Sequence, residues 1–334
     1  MKKIGIIGVG YWGKNHLKAL NKLKEMGEID EIVVCDVNKK FLEDYQKLHE
    51  IDIETDWSKL LEDDKLDAVS IVTPSTTHYE IAKKFMQAGK DVLVEKPMAL
   101  TVKECNELIA TSNDTGSGLM VGHIFRFHPG VLEIRRRIKN GDFGEILYLK
   151  IWRQSLTKPR LDMGVMLALG IHEVDLTCFL LGDKKPDAIF ADMNFYFNQK
   201  EEMAFIIQKF GRTTAYSFES WLDPTNGKLR KLHLIGSKGS AKLDFSIPNK
   251  ITLVNSYLEI SGNDEDKFFD VVNGGEFELS IEYKEPLLEE IHHFIKESYG
   301  NKQYLANGLV GKNAVEMINS AIESSKKGQF VKLK

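Results

Sequence analysis

Over the first third of the chain, short apolar runs alternate with longer amphipathic stretches. The runs Lys3–Ile7, Glu31–Cys35, Ala68–Val72, Asp91–Val94 and Gly118–Gly122 are of strand length and dominated by apolar residues, the pattern of strands buried on both faces. Between them, Trp12–Met26, Thr77–Ala88 and Thr101–Thr115 place apolar residues at helical spacing. Strand and helix in alternation predict a parallel sheet with helices on both faces. Past Phe127 the period changes. Helical stretches at Pro129–Lys139 and Gly164–Leu181 are followed by two-residue alternation at Ala204–Phe210, Thr213–Trp221, Lys231–Ile235 and Ala241–Phe245. Consecutive strands of that kind predict an antiparallel sheet. Amphipathic helices return at Pro286–Ser298 and Gly308–Lys327. The expected division is two consecutive domains, residues 1–123 and 124–334.

Composition agrees with two domains, since 334 residues exceed what a single core usually covers. Apolar residues make up 43% and charged residues 28%, ample for a soluble globular chain. A net charge of -4 gives no reason to expect nucleic acid or an anionic membrane as partner. The basic run Arg135–Lys139 reads as a solvated helix face that stops at Asn140-Gly141. Cys35, Cys105 and Cys178 are widely spaced and form no C-x-x-C, so neither a disulfide framework nor a metal site is expected. No apolar run reaches membrane-spanning length and the start of the chain lacks the pattern of a signal peptide, so a cytoplasmic protein is expected.

Chemistry enters with GVGYWG, Gly8–Gly13, directly after the first strand and opening the first helix. A lone G-x-G-x-x-G says little, but at a strand-to-helix turn each glycine has its own reason. Gly8 permits the tight turn, Gly10 lets a pyrophosphate approach the backbone, and Gly13 permits close packing of helix on strand. Tyr11 and Trp12 share that loop, and the helix N-terminus favours an anion. The second strand ends in Asp36, whose carboxylate accepts hydrogen bonds from ribose hydroxyls and repels a 2'-phosphate. NAD is therefore expected ahead of NADP, a preference that nearby Lys39 and Lys40 weaken. VTPSTTH and VEKP bring Thr73, Pro74, Ser75, His78, Glu95 and Lys96 to the carboxyl ends of strands, the edge where doubly wound sheets bind ligands. The Lys96 ammonium is suited to stabilise an alkoxide as hydride departs.

Together, GVGYWG, TPSTTH, EKP, GHIFRFHP and GIHEVD resemble the Gfo/Idh/MocA family of nicotinamide-dependent sugar and polyol oxidoreductases. The resemblance spans most of the chain in the family's order. It implies an α/β fold with an N-terminal Rossmann domain, a C-terminal α+β domain with a large, mostly antiparallel sheet, and a homodimer or homotetramer formed through that sheet. It also implies that Lys96 polarises the reacting hydroxyl, that His172 sits near the nicotinamide as proton acceptor or substrate ligand, and that the bond before Pro97 is often cis.

The departures are informative. Many members carry an aspartate one helical turn before the histidine, where this chain has Ala168; Asp175 matches a second, separate family aspartate. Ser75 stands where asparagine is common. GHIFRFHP and WRQSLTKPR are similar to segments of nucleotide-sugar 3-dehydrogenases, including those acting on UDP-N-acetylglucosamine, with Phe125 and His128 in place of glutamate and asparagine. Arg126, Arg153 and Arg160 are accordingly expected on a diphosphate, with Asp162 and His172 completing the substrate set. His16 is expected to pack near the glycine loop, and adjacent His292 and His293 point to different faces and form no metal pair. The reading that follows is hydride transfer between a nucleotide-sugar hydroxyl carbon and NAD. The alternatives are oxidation of a free sugar or a cyclic polyol such as inositol, and a dinucleotide-binding protein of little turnover.

Overall fold

Strand β1 (Lys3–Ile7) is buried along its whole length in a computed structural model that describes residues 2–47, 51–225, 227–262 and 268–333. It lies inside a parallel sheet of order β3-β2-β1-β4-β5-β6, formed with β2 (Glu31–Cys35), β3 (Asp52–Glu54), β4 (Leu66–Ile71), β5 (Asp91–Glu95) and β6 (Leu119–Gly122). The connecting helices are α1 (Gly13–Glu25), α2 (Lys39–Gln46), α3 (Ser75–Gln87) and α4 (Val102–Thr115). From β1 the chain winds outward through β2 and β3, then restarts beside β1 with β4 and winds the other way. That reversal opens a crevice outside the carboxyl ends of β1 and β4. Burial on both faces explains why β1, β4 and β5 read as nearly unbroken apolar runs.

The other sheet has nine strands among the described residues. They are β7 (Ile146–Gln154), β8 (Ala188–Asn194), β9 (Met203–Phe210), β10 (Thr213–Ser220), β11 (Leu229–Gly236), β12 (Ser240–Asp244), β13 (Lys250–Ser261), β14 (Phe268–Ser280) and β15 (Val331–Lys332), in order β14-β13-β12-β11-β7-β10-β9-β8-β15. Only β7 and β10 run parallel; every other neighbouring pair is antiparallel. α5 (Pro129–Asn140) ends at Gly141 with φ +79, the left-handed stop that Asn140-Gly141 predicts. Leu149 and Ile151 of β7 and Leu232 and Leu234 of β11 are buried, while the alternate residues Lys150, Trp152 and His233 are half-buried. The stretch expected as one helix is divided: a π-helical turn at Met166–Gly170 runs into α6 (Ile171–Leu180), and Ala168 lies in that turn. Such turns recur at functional sites.

The two-domain division needs correction. The compact units are Met1–Phe127 with Lys284–Glu316, and His128–Tyr283 with Met317–Lys334, so the second is not continuous along the chain. α7 (Pro286–Ser298) belongs to the first unit because its stripe Leu287, Leu288, Ile291, Phe294 and Ile295 shares a core with Leu17, Leu20 and Leu23 of α1. Lys302 and Tyr304 anchor the same segment on Asp91, at 2.7 and 3.2 Å. α8 (Gly308–Lys327) begins in the first unit and ends in the second. No described helix is long and apolar enough to cross a membrane. The stretch Trp221–Gly227, whose Asp-Pro and Asn-Gly steps in the sequence predict a turn, includes residue 226, which lies outside the described residues.

Candidate functional site

In the first unit, the carboxyl edge of the sheet is built around the glycine turn. Gly8 has φ +90 and donates its N–H to the Cys35 carbonyl, fastening β1 to β2 at 2.8 Å. A Cβ on Gly13 would fall well inside contact distance of the Gly8 carbonyl, so helix and strand meet there at backbone distance. A Cβ on Gly10 would meet no atom within 4 Å. The space beside Gly10, at the start of α1, is open. α1 and α3, which follow β1 and β4, have no side-chain cap and no acidic residue in their first turns, whereas α4 starts on a full capping box made by Thr101 and Glu104. Uncapped helix N-termini favour an anion.

Asp36 stands beside this loop. Its Oδ2 accepts from Val9 N at 2.7 Å and its Oδ1 from Asn38 N at 2.8 Å, fixing the carboxylate while each oxygen retains capacity for a ribose hydroxyl. Tyr11 is 94% exposed at the tip. Trp12 turns inward, and its Nε1 donates to Glu95 Oε1 at 2.8 Å. His78, buried, puts Nε2 at 2.8 Å from the Thr73 carbonyl and Nδ1 at 2.8 Å from that of Pro97, tying the loop after β4 to the loop after β5. Thr73 is further held by Thr77, Pro74 is exposed at the N-cap of α3, and Ser75 is that helix's first residue. The Lys96-Pro97 bond is cis.

Glu95 is the hub under Lys96. Burial pushes its pKa up, but the His16 hydrogen bond and charge, the Lys96 ammonium and the Trp12 donor outweigh that and hold the carboxyl below its usual range. His16 Nε2 lies 3.0 Å from Glu95 Oε1 and His16 Nδ1 2.9 Å from Ser70 Oγ, so the carboxylate is braced from α1 and β4. Glu95 Oε2 accepts the backbone N–H of Lys96 at 3.1 Å. Sequence placed His16 near the glycine turn and Glu95 in the cofactor set; that the two pair beneath Lys96 was not legible from their separation in the chain.

The remaining expected ligands fare differently. Arg126 is buried in the first unit and donates from Nη1 to the Leu305 carbonyl at 3.0 Å. In the second unit, Arg153 is buried and its Nε donates to Glu173, itself fully buried on α6. Both guanidinium groups are thus engaged inside the protein. Arg160 is exposed and pairs with Asp162 at 2.9 Å. His172 is half-buried in the first turn of α6, and Asp175 one turn later is buried. Glu201, which sequence did not single out, holds the start of this region: its Oε1 accepts from Met166 N at 3.0 Å and its carbonyl from Val165 N at 3.0 Å. His128, in place of the expected asparagine, is the N-cap of α5, with Nδ1 accepting from Gly130 N at 3.1 Å. Glu219 was also missed. It is fully buried on β10 with Arg153 as its register partner on β7. His293 Nε2 accepts from Leu305 N at 3.0 Å, and no group of three or more potential metal ligands occurs among the described residues. All three cysteines are free and buried.

Two models of one family match the chain, one after the other along the sequence. Residues 2–123 match the oxidoreductase family, NAD-binding Rossmann fold, and residues 135–333 match the same family's C-terminal alpha/beta domain. UDP-N-acetylglucosamine 3-dehydrogenase of Acidithiobacillus ferrooxidans is 34% identical over 190 residues, covering 55% of this chain and 56% of that one. Its solved structure superposes over 98% of both chains with a TM-score of 0.81 and 25% identity. The scyllo-inositol 2-dehydrogenase (NAD(+)) of Bacillus subtilis is 31% identical over 189 residues, 54% of each chain. Levoglucosan dehydrogenase, solved with NADH and levoglucosan, shares the fold over 99% of both chains with a TM-score of 0.84 at 19% identity.

Proposed function

The chain belongs to the oxidoreductase family of NAD-binding Rossmann fold and C-terminal alpha/beta domain, and on that premise we propose that it oxidises a hydroxyl-bearing carbon of a UDP-N-acetylhexosamine-type nucleotide sugar to a ketone. The observation that carries this reading is the carboxyl edge of the first sheet, where open space at Gly10, the fixed Asp36 carboxylate and Lys96 above a braced Glu95 stand on neighbouring strand ends. Bound NAD supplies the hydride acceptor. Gly8, Gly10 and Gly13 with the start of α1 take its pyrophosphate, Asp36 its adenosine ribose, and the loops of Thr73 to His78 and of Glu95 line the rest.

Lys96 donates a hydrogen bond to the reacting oxygen and stabilises the charge that grows there as the carbon gives up hydride. The family resemblance gives His172 the part of proton acceptor or substrate ligand. Glu95 keeps its negative charge and fixes the Lys96 backbone. Among relatives, the UDP-N-acetylglucosamine enzyme favours a nucleotide sugar, and the scyllo-inositol enzyme marks the cyclic polyol as the second reading. A screen of free sugars, inositols and nucleotide sugars for NADH production decides between them. No NADH from any of them would reject the enzyme and leave a dinucleotide-binding protein.

The oligomer belongs to the same proposal. One face of the nine-stranded sheet is buried, whereas the other presents half-buried Trp152, Phe205, Tyr216, Phe218 and His233. An aromatic-rich face of this kind suits a second copy, giving a homodimer or homotetramer. Three free, buried cysteines fit a reducing cytoplasm. Light scattering of the full chain tests the assembly; a monomer would remove it.

A further inference from the structure

In the second unit, the segments after β7 and after β10 and the segment before β9 line a shallow cavity of about 290 Å³, made by Leu156, Thr157, Lys158, Pro159, Phe197 and Leu222. Its walls are apolar and unusually open: Leu156 is 68% and Phe197 78% exposed. Exposed apolar side chains are ordinary when scattered. Here they share one cavity on backbone that is firmly held. Leu156 and Leu222 face each other across an isolated bridge, with Ser155 N on the Ser220 carbonyl at 3.0 Å and Thr157 N on that of Trp221 at 2.9 Å.

The Phe197 loop is fastened from inside. Glu202 is fully buried, and its carboxylate accepts from Tyr196 N at 2.8 Å, Phe197 N at 3.5 Å and Asn198 Nδ2 at 2.7 Å. The Glu202 carbonyl accepts from Trp221 N at 3.1 Å, which joins the two walls. A buried carboxylate thus holds an aromatic ring out into solvent, a preorganised stacking platform. Its neighbour Glu201 holds the turn leading into the His172 helix, so the same short segment supports both places.

We infer that this cavity is the slot for the base of a nucleoside diphosphate, with the Phe197 ring stacking on the base and the Lys158 ammonium meeting the phosphates. The inference rests on the nucleotide-sugar reading above and deepens it. Size limits the occupant to one moiety, because about 290 Å³ lies just below the ~300–1,000 Å³ range of ligand pockets. The chemistry of the lining selects a flat, weakly polar ring over a sugar: Thr157 and Lys158 are its polar side chains, and the nearby carboxylate of Glu202 is turned inward onto the loop. Aromatic platforms of this kind bind bases with little sequence preference. The diphosphate contact thereby moves from the buried arginines to Lys158.

Calorimetry with UDP on the full chain at saturating NAD tests it, the NAD keeping UDP out of the dinucleotide site. UDP is expected to bind, Phe197→Ala to weaken it tenfold or more, Phe197→Trp to retain it, and Lys158→Ala to weaken it as well. N-acetylglucosamine 1-phosphate, which lacks the base, should be indifferent to Phe197→Ala. No UDP binding by the wild type, or equal affinity in Phe197→Ala, overturns the slot. A change of particle mass in Phe197→Ala by light scattering also overturns it, since the ring would then belong to a contact between copies. Oxidation of a nucleotide sugar with unchanged KM in Phe197→Ala would remove the slot and keep the dehydrogenase. Phe197-dependent UDP binding without reduction of NAD by any nucleotide sugar would keep the slot and remove that activity.

Discussion

Glu219 should make this protein less stable as pH rises. Its carboxyl is fully buried on β10, between Ala204 of β9 and Arg153 of β7 in the sheet register. Burial first, then the neighbouring Glu173 charge, push its pKa up to about 8 from 4.5, against the smaller opposing pull of Ser217 and Arg153. A carboxyl with a raised native pKa costs nothing while both states are protonated. As pH climbs through 4.5 the unfolded chain releases its proton and the native state does not, so stability falls until pH passes the native value. With one pKa unit equal to about 1.4 kcal/mol, the two values give a loss of about 3 kcal/mol between about pH 5.5 and 8.5. Glu219→Gln keeps the shape and hydrogen-bonding capacity of the neutral acid and removes the titration. Urea unfolding of both proteins at the two pH values, with m-values compared, isolates the group as a double difference. The stability advantage of the variant over the wild type is expected to grow by about 3 kcal/mol from the lower pH to the higher. An equal pH slope in both proteins would mean that Glu219 is ionised or solvated in the native state, and the account of this buried cluster would be wrong.

Gly10→Ala should leave thermal stability intact, because its Cβ meets nothing, yet weaken NAD binding at least tenfold, about 1.4 kcal/mol; Gly13→Ala should lower the melting temperature through its clash with the Gly8 carbonyl. Equal behaviour of the two in melting and NAD titration would refute the separate roles. Asp36→Ala should cut the NAD-over-NADP affinity ratio about tenfold, and an unchanged ratio would remove Asp36 from the ribose. Burial pushes His128 down to about 4 from 6.5, so it stays neutral in the native state, and stability should fall as pH drops from about 6.5 towards 4, by up to about 3 kcal/mol. His128→Asn keeps an N-cap acceptor and should flatten that acidic limb; a limb of undiminished size would place the titration elsewhere.

The glycine turn, Asp36 and Lys96 were legible because each is local: a strand end, a spacing of a few residues and a helix start fix their positions. The parallel, helix-covered character of the first sheet was legible from the strand-helix alternation, whereas its strand order and the short β3 were not read. The assignment of Pro286–Ser298 was not, since an amphipathic stripe states that a helix must bury one face and is silent on which partner covers it. β7 was not singled out: Lys150 and Trp152 alternate with buried Leu149 and Ile151, but Arg153 puts a charge on the buried side, paired with Glu173, a partner no spacing rule supplies. The same pairing explains why an arginine that looked suited to a diphosphate is engaged inside the protein. The π turn at Met166–Gly170 carries no sequence marker that separates it from the helix it precedes.

Reduction of bound NAD in a single turnover by a UDP-N-acetylhexosamine, followed by absorbance in wild type and Lys96→Ala, tests the central claim most directly. The wild type is expected to generate NADH, and Lys96→Ala to bind NAD with nearly unchanged affinity while losing most hydride transfer, because the ammonium acts on charge that develops only during reaction. Undiminished NADH formation in a folded Lys96→Ala protein would contradict the role of Lys96. Failure of the wild type with every nucleotide sugar would contradict the substrate.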